Sequence, residues 1–132
     1  IKEYSDNSDN FDKKIDISRD GLYRSELKLF LESFREELRG KNILDIGSGR
    51  WTWTKETFSS ISNIITFDIA PSENVDVAGD VYHLQKIFQS QPLYDAVIAT
   101  DVFEHLADLG RALEQVMAVF AAGRIAYCEH PI

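Results

Sequence analysis

Apolar and polar positions along this chain follow two periods. Leu22, Tyr23, Leu27, Phe30, Leu31, Phe34 and Leu38 recur at three- and four-residue steps, which predicts an amphipathic helix over residues 22–38. Ser18 or Asp20 can cap its start, and Gly40 follows its end. Short apolar runs then take over: 42–46, 64–68, 75–78, 94–100 and 124–129. Runs of this length, rich in β-branched residues and bounded by Gly, Pro and acids, read as buried strands. Helical stretches separate them at 52–60, 81–89 and 109–121. In the last of these, Leu109, Leu113, Val116, Met117 and Phe120 are expected to face inward, with Gly123 ending the helix. Strands alternating with helices at this spacing predict an α/β fold: a parallel sheet, doubly wound, with helices on both faces in three layers.

Residues 1–20 break the pattern. Asp6, Asp9, Asp12, Asp16 and Asp20 stand among Ser and Asn with few apolar neighbours, so a polar, acidic, solvated arm is expected there. A lid folding over a ligand is the second reading. The acids are not spaced as in a calcium loop, which needs Gly at its sixth position and Glu at its twelfth. Residues 21–132 are expected to form one domain with its own core.

Composition narrows the function classes. With 14 basic against 22 acidic residues the formal charge is −8, which argues against a phosphate-binding surface and therefore against nucleic acid. No apolar run approaches the roughly 20 residues of a membrane span, and the polar start is unlike a secretory signal. The one cysteine, Cys128, lies in an apolar run, so a buried, inert thiol in a reducing, cytoplasmic setting is expected. His83, His105 and His130 are far apart and no Cys-x-x-Cys occurs, so no metal is expected. A small molecule, or a protein, is the partner that fits.

The candidate chemistry gathers at one edge. The run Ile43-Leu44-Asp45-Ile46-Gly47-Ser48-Gly49 is a strand leading into a glycine bend and then a helix. Glycine lets the chain turn sharply and leaves no side chain between backbone and ligand. N–H groups at the start of the next helix can then face the ligand. In such sheets ligands bind beyond the carboxyl ends of the strands. Asp45, Gly47, Gly49, Asp68, Gly79, Asp80, Asp101, Glu129 and His130 all fall at or just past those ends. Asp68 follows Gly49 by nineteen residues, where a carboxylate can accept hydrogen bonds from two vicinal ribose hydroxyls. Asp80 can reach an adenine amine or cap the following helix, or do both. Asp45 is inside a buried run and needs partners, either N–H groups of the bend or a ligand's ammonium.

Those residues carry a family resemblance. Ile-Leu-Asp-Ile-Gly-Ser-Gly, then an acid-ended second strand, then Gly79-Asp80, then Tyr-Asp-Ala-Val-Ile-Ala-Thr-Asp-Val-Phe-Glu-His-Leu over 94–106, resembles the class I S-adenosylmethionine-dependent methyltransferases. The closest branch is the small-molecule methyltransferases with Glu-His after the fourth strand. The resemblance covers about 42–129 and implies a Rossmann-like sheet of about five strands in the order 3-2-1-4-5. It implies S-adenosyl-L-methionine as cofactor and S-adenosyl-L-homocysteine as product. Gly47, Ser48 and Gly49 would give close backbone contact to the methionine half, with Asp45 nearby. Asp68 would hold the ribose, Asp80 and Val81 would contact the adenine, and Ile69 would be a further cofactor-binding residue. Thr100 and Asp101 would line the pocket beside the methyl group. His105 is a candidate base, or a structural turn residue packed by Glu104.

Two departures are expected to matter. The family's bend usually reads Gly-x-Gly-x-Gly, and Trp51 stands at the third glycine, where an indole crowds the cofactor or walls the pocket. The family's sheet has seven strands, whereas five are expected here, as in a fragment, a sequence that continues further, or a reduced relative. The open edge then invites pairing with another copy. Beside a methyltransferase acting on a small molecule stand two alternatives: a non-catalytic cofactor- or partner-binding module of the same fold, and an NAD-dependent enzyme. The last is the weakest, because its fingerprint wants Gly or Ala where Thr52 stands.

Overall fold

The computed structural model describes residues 3–5, 14–16, 19–49, 52–89, 93–100 and 102–129. The chain forms two compact units, residues 1–34 and 35–132.

In the first unit, β1 (Glu3–Ser5) pairs antiparallel with β2 (Lys14–Asp16), with Tyr4 opposite Ile15. The stretch read as a polar arm thus contains a small ladder. The helix expected over 22–38 is α1 (Arg19–Ser33), which starts earlier and stops earlier. The Ser33 hydroxyl donates to Phe30 O at 2.6 Å, and Phe34 N–H reaches only three residues back, to Leu31 O. Such i→i−3 closure tightens and ends a helix. Residues 34–40 continue as turns, which keep a three-residue spacing and so mimic helical periodicity in the sequence.

The second unit is a five-stranded sheet built on β3 (Asn42–Ile46), with α2 (Trp53–Phe58), β4 (Asn63–Asp68) and β5 (Val77–Ala78) following in the chain. A 3-10 turn (Val81–His83) runs into α3 (Leu84–Ile87), and then come β6 (Tyr94–Thr100), a second 3-10 turn (Phe103–His105), α4 (Leu109–Ala118) and β7 (Phe120–Glu129). The spatial order is β5-β4-β3-β6-β7 with every pairing parallel. Counted by appearance in this sheet, the first four strands lie in the order 3-2-1-4, as the resemblance implies.

Central strands of a parallel sheet are covered on both faces and must be apolar throughout. Ile43, Leu44 and Ile46 of β3 and Ala96, Val97, Ile98 and Ala99 of β6 are accordingly buried. Leu44, Phe67, Leu84, Phe88, Tyr94 and Val116 belong to one cluster on one side of the sheet. Its rings meet at angles: Phe88 lies 5.6 Å from Tyr94 edge-on and 5.9 Å from Phe67.

Several expected boundaries are corrected. The third strand is two residues long, because Val75 and Asp76 are drawn into a turn in which Asp76 N–H donates to Thr66 O. The last helix does not reach 121 and Gly123 does not end it. Tyr94 N–H donates to Val119 O at 2.9 Å, and the chain enters the ladder at Phe120. The inward face of α4 is also rotated from the expected one: Ala112, Val116 and Val119 are buried, while Leu109, Leu113 and Met117 are exposed. The three buried residues lie at steps of four and three, and their small side chains allow close approach to the sheet.

Candidate functional site

The bend after β3 owes its shape to two left-handed residues, Gly47 at φ +77° and Gly49 at φ +54°. Gly47 N–H and Ser48 N–H both donate to Phe67 O, at 2.7 and 3.4 Å, which ties the bend to the tip of β4. A Cβ on Gly47 would run into Val102 Cγ2. At Gly49 the space is filled by an acid instead: Asp68 Oδ2 lies 3.4 Å from where a Cβ would be. Asp68 Oδ1 accepts Ala70 N–H at 3.1 Å, and the Ser72 hydroxyl donates to Gly49 O at 3.3 Å. The loop after β4 is therefore laced to the bend, with the Asp68 carboxylate half-buried between them. Ile69 stands beside it in the chain, an apolar side chain 73 % exposed.

Asp45 is fully enclosed by contrast. Its relative exposure is 2 %, and Oδ1 has no hydrogen-bond partner. Burial pushes its carboxyl up to about 7 from an ordinary 3.8; the Thr54 hydroxyl bonded to it pulls down, the nearby Asp68 charge pushes further up, and Lys55 pulls down. Ser48 Oγ is likewise buried without a partner. The N–H groups of Gly47 and Ser48, expected as possible partners of Asp45, are instead taken by Phe67 O. Two orphaned polar atoms three residues apart on one glycine bend are costly unless a ligand completes them. A donor-rich cation suits the carboxyl, so the residues present fit a cofactor bearing an ammonium group.

Asp80 caps the 3-10 turn after β5: its Oδ1 accepts Tyr82 N–H at 2.9 Å. Val81 is in the core cluster. Thr100 ends β6 half-buried at the same edge. Asp101 and Trp51 lie outside the described residues. His105 is on the exposed 3-10 turn, with Nε2 3.7 Å from Glu104 Oε1. Both readings of His105 remain compatible with that placement. Among the described residues no group of three His, Cys, Asp or Glu could hold a metal ion. A cleft of about 210 Å³ lined by Ile65, Val77, Ile87, Phe88 and Tyr94 contains none of the acids. Its walls are core side chains, and it is a packing seam rather than the site.

Three contributors escaped the sequence reading. Thr54 lies nine residues beyond Asp45 in the first turn of α2, and helical geometry could have pointed it back at the strand. Val102 and Ser72 carry no local signal; only the tertiary fold brings them to the bend.

Comparison with known proteins gives the family and the fold. Residues 16–131 match the methyltransferase domain family, and the chain belongs to that family. In sequence it matches none of the curated proteins. Solved structures share the fold. The N-methyltransferase NodS from Bradyrhizobium japonicum WM9 is 17 % identical with a TM-score of 0.60, over 80 % of this chain and 67 % of that one. The [4+2]-cyclase SpnF is 16 % identical at TM-score 0.64, over 94 % and 48 %. Coclaurine N-methyltransferase, bound to N-methylheliamine and S-adenosyl-L-homocysteine, is 15 % identical at 0.61, over 97 % and 39 %. The chain thus spans about half or less of the latter two. Among the described residues no helix is long and apolar enough to cross a membrane.

Proposed function

We propose that this chain binds S-adenosyl-L-methionine over the glycine bend and transfers its methyl group to a small molecule. The observation that carries the reading is the buried Asp45 carboxyl, one oxygen unpartnered, behind a bend whose outer glycine is roofed by Asp68. Asp45 accepts the cofactor's ammonium, and Gly47, Ser48 and Gly49 border its methionine half. Asp68 takes the ribose hydroxyls, which need the two-oxygen acceptor it presents. Ile69 covers one face of the adenine, with Asp80 and Val81 at its edge. Thr100 and Asp101 line the space beside the reacting carbon.

When bound, the cofactor supplies an electrophilic methyl on a sulfonium. The protein's part is to align an acceptor in line with it and to exclude water. His105, on a turn at the same edge as Thr100, removes a proton where the acceptor carries one. Net charge −8 supports a small-molecule acceptor over nucleic acid. We place the cofactor-binding domain at residues 21–132, with 1–20 as an acidic arm, in a reducing, cytoplasmic compartment. Self-association runs through an open edge of the sheet.

Titration with S-adenosyl-L-homocysteine by calorimetry tests the binding step, with NAD as the contrasting ligand. Tight binding of the former and none of the latter is expected; the reverse refutes the reading. Transfer of a labelled methyl group to a panel of amines, hydroxyls and carbon acids then tests the chemistry. Because the same fold occurs in SpnF, a cyclase, binding without transfer to any acceptor would favour a module that uses the cofactor pocket for another end.

A further inference from the structure

The start of α4 is capped from two elements rather than one. Asp108 is its N-cap residue, and Oδ1 accepts Arg111 N–H at 3.1 Å. In a capping box the side chain at that third helical position reaches back to the cap residue's own N–H. Arg111 carries donors and no acceptor, so it cannot close the box. The Tyr82 hydroxyl closes it instead: from the 3-10 turn Val81–His83 it accepts Asp108 N–H at 3.0 Å. The Arg111 guanidinium lies over the Tyr82 ring, 5.0 Å from its centroid, in a cation–π contact. One turn along the helix, Gln115 Oε1 accepts Gln85 N–H at 2.9 Å. Tyr82 is itself held through its backbone, because its N–H is the one that Asp80 Oδ1 accepts.

The turn that carries His105 lies between two anchors. At its start Val102 packs against Gly47, in the space a Cβ would take. Phe103 and Leu106 pack on the core cluster, while Glu104 and His105 are exposed. At its end stands Asp108, held by the Tyr82 hydroxyl. We infer that Tyr82 is a positioning residue: its hydroxyl ties the turn carrying His105 to the 3-10 turn at the adenine edge, so that a bound cofactor steadies the acceptor side of the site. The inference rests on the function proposed above. A ligand that orders Asp80 orders Tyr82 and then Asp108 in series, and the turn between Val102 and Asp108 loses freedom before an acceptor arrives.

Amide hydrogen exchange of the 132-residue chain is measured with and without saturating S-adenosyl-L-homocysteine. In the free wild type the Asp108 amide should be protected. Tyr82→Phe keeps the ring and removes the hydroxyl, and it should speed that exchange about fivefold, the worth of one neutral hydrogen bond. The ligand should slow exchange over residues 102–108 in the wild type and leave it unchanged in Tyr82→Phe. Calorimetry should nonetheless give the two proteins affinities within about twofold, because the bond from Tyr82 N–H to Asp80 is kept. Adding Arg111→Gln to Tyr82→Phe supplies an acceptor inside α4 that can close the capping box. It should restore protection of the Asp108 amide but not the slowing by ligand. Slowing that returns with the cap shows that Tyr82 serves only the helix, and overturns the inference. A wild type that binds without slowing over 102–108, or an Asp108 amide that exchanges freely, also overturns it and leaves the proposed function standing. Both of those readings need no variant, so they decide the matter even where Tyr82→Phe fails to fold. A wild type that does not bind the ligand overturns both.

Discussion

Replacing Asp45 by Asn should make the unliganded protein more stable at neutral pH while impairing the site. Asp45 titrates near 7 in the fold against 3.8 ordinarily, chiefly because it is buried. About three pKa units at about 1.4 kcal/mol each place the cost of ionising it in the fold near 4 kcal/mol. The sign follows from which state loses its proton first. As pH rises through about 4 the unfolded chain ionises, while the folded chain holds its proton until about 7. Stability present below about pH 4 is therefore lost progressively up to about pH 7 and does not return above it. Asparagine keeps an acceptor for the Thr54 hydroxyl and has no such dependence. Urea unfolding of both proteins in unit steps from about pH 4 to about pH 8 isolates the term, since all other groups are shared. The variant's stability relative to wild type should climb by about 4 kcal/mol across that range. A difference that stays flat would refute the reasoning, whatever its absolute value.

Other consequences are as direct. Gly47→Ala should cost about 2–4 kcal/mol, combining left-handed strain with the collision on Val102 Cγ2; adding Val102→Ala should recover the steric part in a double-mutant cycle of unfolding free energies. The Asp76 carboxyl is pushed up by burial but pulled further down by Thr66 N–H, by Lys55 and by the Thr66 hydroxyl, so it titrates below its ordinary range. Its contribution is present above the unfolded pKa and lost as pH falls through the folded one, so Asp76→Asn should cost about 1 kcal/mol at neutral pH and nothing in strong acid, by denaturant midpoint. His105→Ala should leave S-adenosyl-L-homocysteine affinity within about twofold, and single-turnover methyl transfer should fall by about 10²-fold or more if the imidazole takes a proton.

Strand identities were readable because a parallel sheet demands largely apolar runs, and 42–46, 63–68 and 94–100 supply them. The placement of Asp68 was readable for a related reason: an acid that ends such a run is delivered to the carboxyl edge whatever surrounds it. Helix faces were less legible. Leu109, Leu113 and Met117 form as good a stripe as Ala112, Val116 and Val119, and only the approach of the sheet decides which is buried. Gly123 misled because a glycine near a helix end is ambiguous when a ladder bond such as Tyr94 N–H to Val119 O captures the chain first. Asp45 was recognised as buried and in need of partners. That Phe67 O has claimed the bend's N–H groups is a fact of tertiary structure with no local trace in the sequence.

The central claim is that one adenosine-bearing cation lies across the glycine bend. The structure of this chain crystallised with S-adenosyl-L-homocysteine tests it most directly. The account predicts the ribose hydroxyls on Asp68, the ammonium on Asp45 Oδ1 and the adenine against Ile69. A ligand seated in the apolar cleft by Phe88 and Tyr94, or a bend closed over with Asp68 facing away from the ligand, would contradict it.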